Sequence, residues 1–215
     1  MRLVAFDFDG TLAPGEMFLP LADRAGVTDE VEELTEQAMN DEVSYAESLR
    51  YRASLLSDLT VEEVREAYAE VDLRPGAADI IRDLRAAGHH VAILTGGFDD
   101  CVEAVLDAAG VEVDTVVANH LEAVDGRLTG HVSGPLVDGT KDTALESLAA
   151  DLDLGMERTV AVGDGANDLP MLEVAHLAIG FDPKRVVVPR CDVVVETIDE
   201  LDAALEANGV LPHGR

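Results

Sequence analysis

Short, almost wholly apolar runs recur along the chain, at residues 3–6, 91–94, 115–118, 159–162, 177–179 and 192–195, the third, fourth and sixth opening on Thr115, Thr159 and Asp192. A strand with one wet face alternates apolar and polar residues, so an unbroken apolar run marks a strand covered on both faces, as in a parallel sheet between layers of helices. Amphipathic stretches follow at 76–87, 99–109, 141–151, 166–175 and 199–207, and three of them meet Gly88, Gly110 or Asn208-Gly209, natural C-terminal stops for a helix. The pattern predicts an α/β chain built on a doubly wound parallel sheet.

Two segments break the alternation. Between 13 and 74 no convincing strand pattern occurs, and amphipathic helical patterns lie near 29–39, 44–56 and 61–71. This predicts a small helical cap inserted after the first strand. Leu73-Arg74-Pro75-Gly76 returns the chain to the sheet, because proline suits a helix start or a rigid linker. The expected organisation is a core of 1–12 and 75–215 with a cap of 13–74. The second break, 121–132, alternates about Asp125-Gly126 and predicts a β-hairpin.

Charge narrows the partners. Lys+Arg 15 against Asp+Glu 44 leaves a net charge of −29 over 215 residues, with the acids spread through the expected helices. No basic stripe is present to neutralise nucleic-acid phosphates, and an anionic membrane would repel this surface. Lysine occurs only at 141 and 184, arginine carrying the rest of the positive charge. The expectation is a salt-rich cytoplasm, where a Debye length of about 3 Å at 1 M makes such self-repulsion tolerable. Cys101 and Cys191 stand far apart, outside any C-x-x-C pair, and are expected to be buried thiols. The N-terminal apolar run meets Asp7 too early for a signal peptide, and no run reaches membrane-spanning length, so a soluble, cytoplasmic protein is expected. The sequence carries no signal for an oligomeric state.

The chemistry lies at the ends of the apolar runs. Asp7-Phe8-Asp9-Gly10-Thr11 closes the first, and side chains i and i+2 of an extended chain share a face, so both carboxylates can serve one site. Asp7 is the expected nucleophile toward phosphorus, and Asp9 the acid and base for the leaving oxygen and the attacking water. Taken alone, D-x-D is also common in solvated turns. A second cluster, Gly163-Asp164-Gly165-Ala166-Asn167-Asp168, ends another run. In a parallel sheet the C-terminal strand ends share an edge, so Asp164 and Asp168 converge there with Asp7 and Asp9. Gathered carboxylates call for a cation, and hard oxygen ligands on a phosphate site indicate Mg²⁺. Asp7 and Asp164 are expected to bind it by side chain and Asp9 by backbone carbonyl, with Asp168 one step behind them. Leu94-Thr95-Gly96-Gly97-Phe98 ends another strand and opens a helix, where a hydroxyl and free N–H groups make a phosphate cradle. Lys141, at a helix start, is placed to neutralise Asp7 and the transferred group, whereas Lys184 reads as a surface lysine. The six histidines show no metal-ligand spacing.

As an ordered set, Asp7 to Thr11, Thr95 to Gly97, Lys141 and Gly163 to Asp168 resemble the four motifs of the haloacid dehalogenase superfamily. Over nearly its full length the chain is similar to the branch acting on O-phospho-L-serine, including Ser48-Leu49-Arg50-Tyr51-Arg52 and Ala118-Asn119. Gly10 and Thr95 stand where that branch usually has serine. The resemblance implies a mobile cap that reads the amino-acid part of a small phosphomonoester, Glu16 taking its ammonium and Arg52 its carboxylate. Thr95, Gly96, Lys141 and Asn167 would hold the phosphate and serine end. It also leaves room for another small phosphomonoester or for transfer to an acceptor such as homoserine. A receiver-like signalling module shares the aspartate, threonine and lysine, but the inserted cap and the D-x-D spacing argue against it.

Overall fold

The computed structural model describes residues 1–39 and 43–214; positions 40–42 of the expected cap and 215 of the expected core lie outside the described residues. Strands β1 (Leu3–Phe6), β2 (His90–Phe98), β3 (Thr115–Val124), β4 (Arg127–Ser133), β5 (Thr159–Gly163), β6 (Leu177–Phe181) and β7 (Val193–Val195) form one sheet in the order β4-β3-β2-β1-β5-β6-β7. All neighbours are parallel except β3 and β4, the expected hairpin, so the sheet is mixed at one edge. Asp125 and Gly126 both have positive φ, 51° and 78°, as a tight two-residue hairpin turn demands.

Period-two alternation sorts each central strand between two cores. Val4, Phe6, Val91, Ile93, Val160 and Val162 face one side, where they meet α5 (Ala77–Ala86), α6 (Asp99–Ala109) and α9 (Ile198–Ala207). On the other side Ala92, Ala5, Ala161 and Ala178 stand in register across four adjacent strands. Leu145 of α7 (Lys141–Asp151) and Met171 and Leu172 of α8 (Leu169–Val174) pack against this row. Such small side chains let helices lie close to the sheet, which brings the first residue of α7 near the end of β1. The expected helix at 166–175 has two parts, a 3-10 turn over Ala166–Asp168 and then α8.

Between β1 and α5 the chain forms α1 (Phe18–Ala25), α2 (Thr28–Met39), α3 (Tyr45–Leu55) and α4 (Val61–Tyr68). Helix α1 was not anticipated: it is short and carries Pro20, which the first turn tolerates because no N–H is needed there. Gly26, with φ 70°, ends it, and Phe18, Leu21 and Ala22 are buried. Capping boxes start α3, from Ser44 and Glu47, and α4, from Thr60 and Glu63; α4 stops at Tyr68, short of the expected 71. Arg74 ties the two connections to the core together, donating to the carbonyls of Thr11 at 3.0 Å and Gly10 at 2.8 Å. The α3–α4 turn is stitched to the hairpin by backbone bonds such as Asp58 N–H to Leu128 (3.1 Å) and Leu128 N–H to Leu59 (2.8 Å). Both cysteines are free, but only Cys101 is buried; Cys191 is half-buried, beside the surface turn that follows Val188–Arg190.

Candidate active site

Phe8 is wholly buried in the larger core. Burying such a side chain contributes roughly 1.5–3 kcal/mol. With Phe8 anchored inward, Asp7 and Asp9 turn toward the C-terminal edge of the sheet. Asp7 N–H continues the ladder onto Val162 at 2.8 Å, which fixes the first aspartate directly beside the end of β5.

Lys141, buried at the start of α7, donates to Asp7 Oδ1 at 2.5 Å and to Asp168 Oδ1 at 2.6 Å. The other Asp168 oxygen accepts the N–H groups of Asp164 and Gly165, both at 2.9 Å. Asp168 is therefore committed to holding Lys141 and the Asp164 loop. One oxygen from each of Asp7, Asp164 and Asp168 lies within 4.8 Å of the others. Gly10 has φ 80°, and a Cβ there would meet the Asp164 carboxyl at 2.7 Å, so conformation and space both explain glycine at a position where serine is usual in the resembled branch. Thr11 Oγ1 reaches Asp164 Oδ1 at 3.5 Å.

Crowding shows in the electrostatics. Burial, with Asp168 adding to it, pushes Asp7 well above the usual carboxylate range against the pull of Lys141. Burial raises Asp9 to about 7, opposed by the Met17 N–H and reinforced by Glu16. Asp164 rises to about 6 from burial and Asp168, with Lys184 and Lys141 opposing. Burial would lower the Lys141 ammonium, but Asp168 and Asp7 hold it above its ordinary value. The donor set is all hard oxygen and in negative surplus over its two lysines, which fits a small divalent cation.

The segment expected to form the phosphate cradle ends a strand and opens a helix: Thr95 and Gly96 lie near the C-terminal end of β2, which runs to Phe98, and α6 begins at Asp99. Thr95 is buried and its Oγ1 accepts from Gly97 N–H at 3.0 Å, leaving the hydroxyl hydrogen to donate. The Gly96 carbonyl takes two bonds, from Asn119 Nδ2 of the core at 2.9 Å and from the Tyr45 hydroxyl of the cap at 3.2 Å. Asn119 Oδ1 accepts in turn from Leu136 N–H at 3.0 Å. Tyr45 carries no signal in the sequence, and Asn119 stands out only as part of the resemblance at Ala118-Asn119. Asn167 is exposed at its turn.

On the cap side, Arg52 is 7% exposed, packs over the Phe18 ring at 4.8 Å and donates to Thr35 Oγ1 at 3.3 Å, while its Nε has no hydrogen-bond partner among the described residues. Burial lowers its affinity for the proton, opposed by Tyr45, Glu16 and Asp9. Glu16 is half-buried, and its charge acts on both Asp9 and Arg52. Two expectations are corrected. Lys184 is not an ordinary surface lysine: its Nζ lies 4.0 Å from Asp164 Oδ2 and its backbone N–H donates to the Asp164 carbonyl at 2.8 Å. His120, which has no local metal-ligand spacing, is brought by the fold against Asp99 (Nδ1 to Oδ1, 3.0 Å) and near Asp100.

A buried aspartate gripped by lysine, at the switch point of a doubly wound sheet and beneath an inserted helical layer, defines a hydrolase of the phosphoryl-transferring kind. The chain belongs to the haloacid dehalogenase-like hydrolases, whose family model matches residues 4–173. It is 52% identical over 210 residues to a phosphoserine phosphatase of Halobacterium salinarum, covering 98% of this chain and 100% of that one. It is 39% identical to a phosphoserine phosphatase of Methanocaldococcus jannaschii, covering 92% and 93%. Among solved structures it is similar to a phospho-aspartyl intermediate analogue of phosphoserine phosphatase, with TM-score 0.86, 37% identity and coverage of 94% and 98%. A substrate-bound phosphoserine phosphatase complex matches with TM-score 0.86 and 37% identity over 94% and 96%. No helix among the described residues is long and apolar enough to cross a membrane.

Proposed function

We propose that the chain hydrolyses O-phospho-L-serine to serine and phosphate through an aspartyl phosphate on Asp7, with Mg²⁺ as cofactor. The observation that carries this reading is the pairing of two half-sites: an Asp7–Lys141–Asp168 cluster closed by bonds of 2.5 and 2.6 Å, and on the cap side a buried Arg52 whose Nε lacks an acceptor among the described residues. A carboxylate is the natural partner for such a guanidinium, and Glu16 beside it suits an ammonium. The relatives named above, phosphoserine phosphatases all, support the same substrate.

In this mechanism an Asp7 oxygen attacks phosphorus, the bond from phosphorus to the serine oxygen breaks, and Asp9 gives that oxygen its proton. Asp9 then takes a proton from the water that attacks the aspartyl phosphate, releasing inorganic phosphate and restoring Asp7. A carboxyl group raised to about 7 suits both transfers. Lys141, the Thr95 hydroxyl and Gly96, with Asn167 at the rim, hold the phosphoryl oxygens. Mg²⁺, held by Asp7, Asp164 and the Asp9 carbonyl with Asp168 behind them, would neutralise charge on the transferred group.

We further propose that 13–74 acts as a cap over a core of 1–12 and 75–215, a division supported by Arg74 at the crossing point. The −29 charge supports work in a salt-rich cytoplasm. Phosphate release from a panel of phosphomonoesters, with and without Mg²⁺, tests the reading: phosphoserine should lead the panel and chelation should stop turnover. Preference for another monoester, or transfer to homoserine in place of water, would overturn the substrate assignment.

A further inference from the structure

Arginine makes most of the ion pairs on the surface of the described residues, as in Arg24 with Glu66, Arg82 with Asp79 and Arg190 with Glu173. Lysine is used twice, and the fold carries both lysines to one carboxylate cluster, Lys141 to Asp7 and Asp168 and Lys184 to Asp164. Lys184 does not arrive there through a loose side chain. Its N–H donates to the Asp164 carbonyl at 2.8 Å, its own carbonyl accepts from Val187 N–H at 2.8 Å, and Val187 is fully buried. The loop after β6 is thus fastened to the end of β5 at the residue whose carboxylate the ammonium faces.

The separation matters as much as the charge. At 4.0 Å from Asp164 Oδ2, with its side chain 47% exposed, the ammonium screens the carboxylate without capturing it in a short bond. A guanidinium at this point would take both Asp164 oxygens in a planar fork and compete for the lone pairs that a cation needs. Thr11 at 3.5 Å and the bare α-carbon of Gly10 constrain Asp164 from the opposite side.

We propose that Lys184 is a positioning residue that acts through Asp164, holding its carboxylate in the ion-free enzyme and giving it up to an entering divalent cation. It thereby steadies the empty site at the cost of weaker cation binding. This rests on the Mg²⁺ reading above.

The test is calorimetric titration of MgCl₂ into the parent, Lys184→Gln and Lys184→Arg proteins, at the lowest KCl that keeps the parent folded and again in concentrated KCl. Melting curves with and without Mg²⁺ accompany each. The glutamine variant should bind Mg²⁺ roughly three- to tenfold more tightly at low salt, as removal of one nearby positive charge implies. It should melt below the parent without Mg²⁺ and close to it at saturation, and the affinity gap should narrow as KCl screens the ammonium. The arginine variant should bind Mg²⁺ more weakly than the parent. Unchanged or weaker binding by Lys184→Gln, a gap indifferent to KCl, or equal shifts in both variants would overturn the inference while leaving the metal reading intact. A parent protein that takes up no Mg²⁺ would overturn both.

Discussion

On the core side of the cleft, charged groups already hold one another: Lys141 bridges Asp7 and Asp168, and Asp168 accepts two backbone N–H groups besides. On the cap side, Arg52 is buried too, yet among the described residues it makes one side-chain bond of 3.3 Å and leaves Nε without an acceptor. A buried cation so under-satisfied is costly, and a ligand carboxylate would relieve the cost. The contrast separates two tasks. On the proposed reading, the core half is preorganised for a reaction common to any phosphomonoester, and the cap half is left open for the part of the substrate that distinguishes one monoester from another.

The comparison breaks most sharply on the core side. Asp7→Asn removes the nucleophile, so turnover and covalent labelling by substrate phosphate should vanish together for every substrate. Asp9→Asn keeps the backbone carbonyl and should leave Mg²⁺ binding nearly unchanged while slowing both chemical steps by about 10²–10⁴-fold. Steady-state rates with acid-quench trapping of the phosphoenzyme check both. An Asp7→Asn protein that still turned over near the parent rate would remove the mechanism.

A substitution in the cap should act selectively. Losing a charged hydrogen bond in a closed site costs about 1.5–3 kcal/mol, so Arg52→Ala should lower kcat/KM for phosphoserine by roughly tenfold to a few hundredfold. Glu16→Ala should act in the same direction. An aryl phosphate, lacking both ammonium and carboxylate, should be hydrolysed nearly as before. Equal losses on both substrates would make Arg52 and Glu16 structural, and the two halves of the cleft would no longer have separate tasks.

The same division governs what the sequence made legible. Asp7, Asp9, Lys141, Asp164 and Asp168 stand at the ends of apolar runs or at a helix start, and a parallel sheet has one C-terminal edge, so topology alone brings them together. The hairpin was legible because Asp125-Gly126 has local turn chemistry. What escaped depends on contacts remote in sequence. Tyr45 and Gly96 are 51 positions apart, and no periodicity joins them. Lys184 looked ordinary because the register of β6 against β5, which places it beside Asp164, is not written in its neighbours. Helix α1 was hidden by Pro20, whose harmlessness depends on its falling within the first turn.

Salt should affect both halves through the shared surface. Exposed pairs such as Arg24–Glu66 and Arg85–Asp114 contribute little individually, and repulsion within a net charge of −29 outweighs them in dilute buffer. Thermal melts across a KCl series should show the midpoint rising toward molar salt. A flat or falling midpoint would contradict adaptation to a salt-rich cytoplasm.

The smallest effect is expected from a helix start in the cap whose side-chain bonds are local. At the start of α4, Thr60 Oγ1 accepts from Glu63 N–H at 3.1 Å and Glu63 accepts from Thr60 N–H at 2.8 Å. Thr60→Ala should cost about 1 kcal/mol of stability, with a fall in melting midpoint of about 2–4 °C for a chain of this size. Because those bonds to Thr60 hold the Glu63 carboxyl below its ordinary value, its contribution is present above the unfolded pKa and is lost as pH falls through the folded one. The destabilisation by Thr60→Ala should therefore shrink under acid conditions. Rates on phosphoserine and on an aryl phosphate should drop together, if at all, because the cap as a whole is loosened while Arg52 keeps its place. A selective loss on phosphoserine would instead show that the α4 cap positions Arg52, and would join local helix stability to substrate choice.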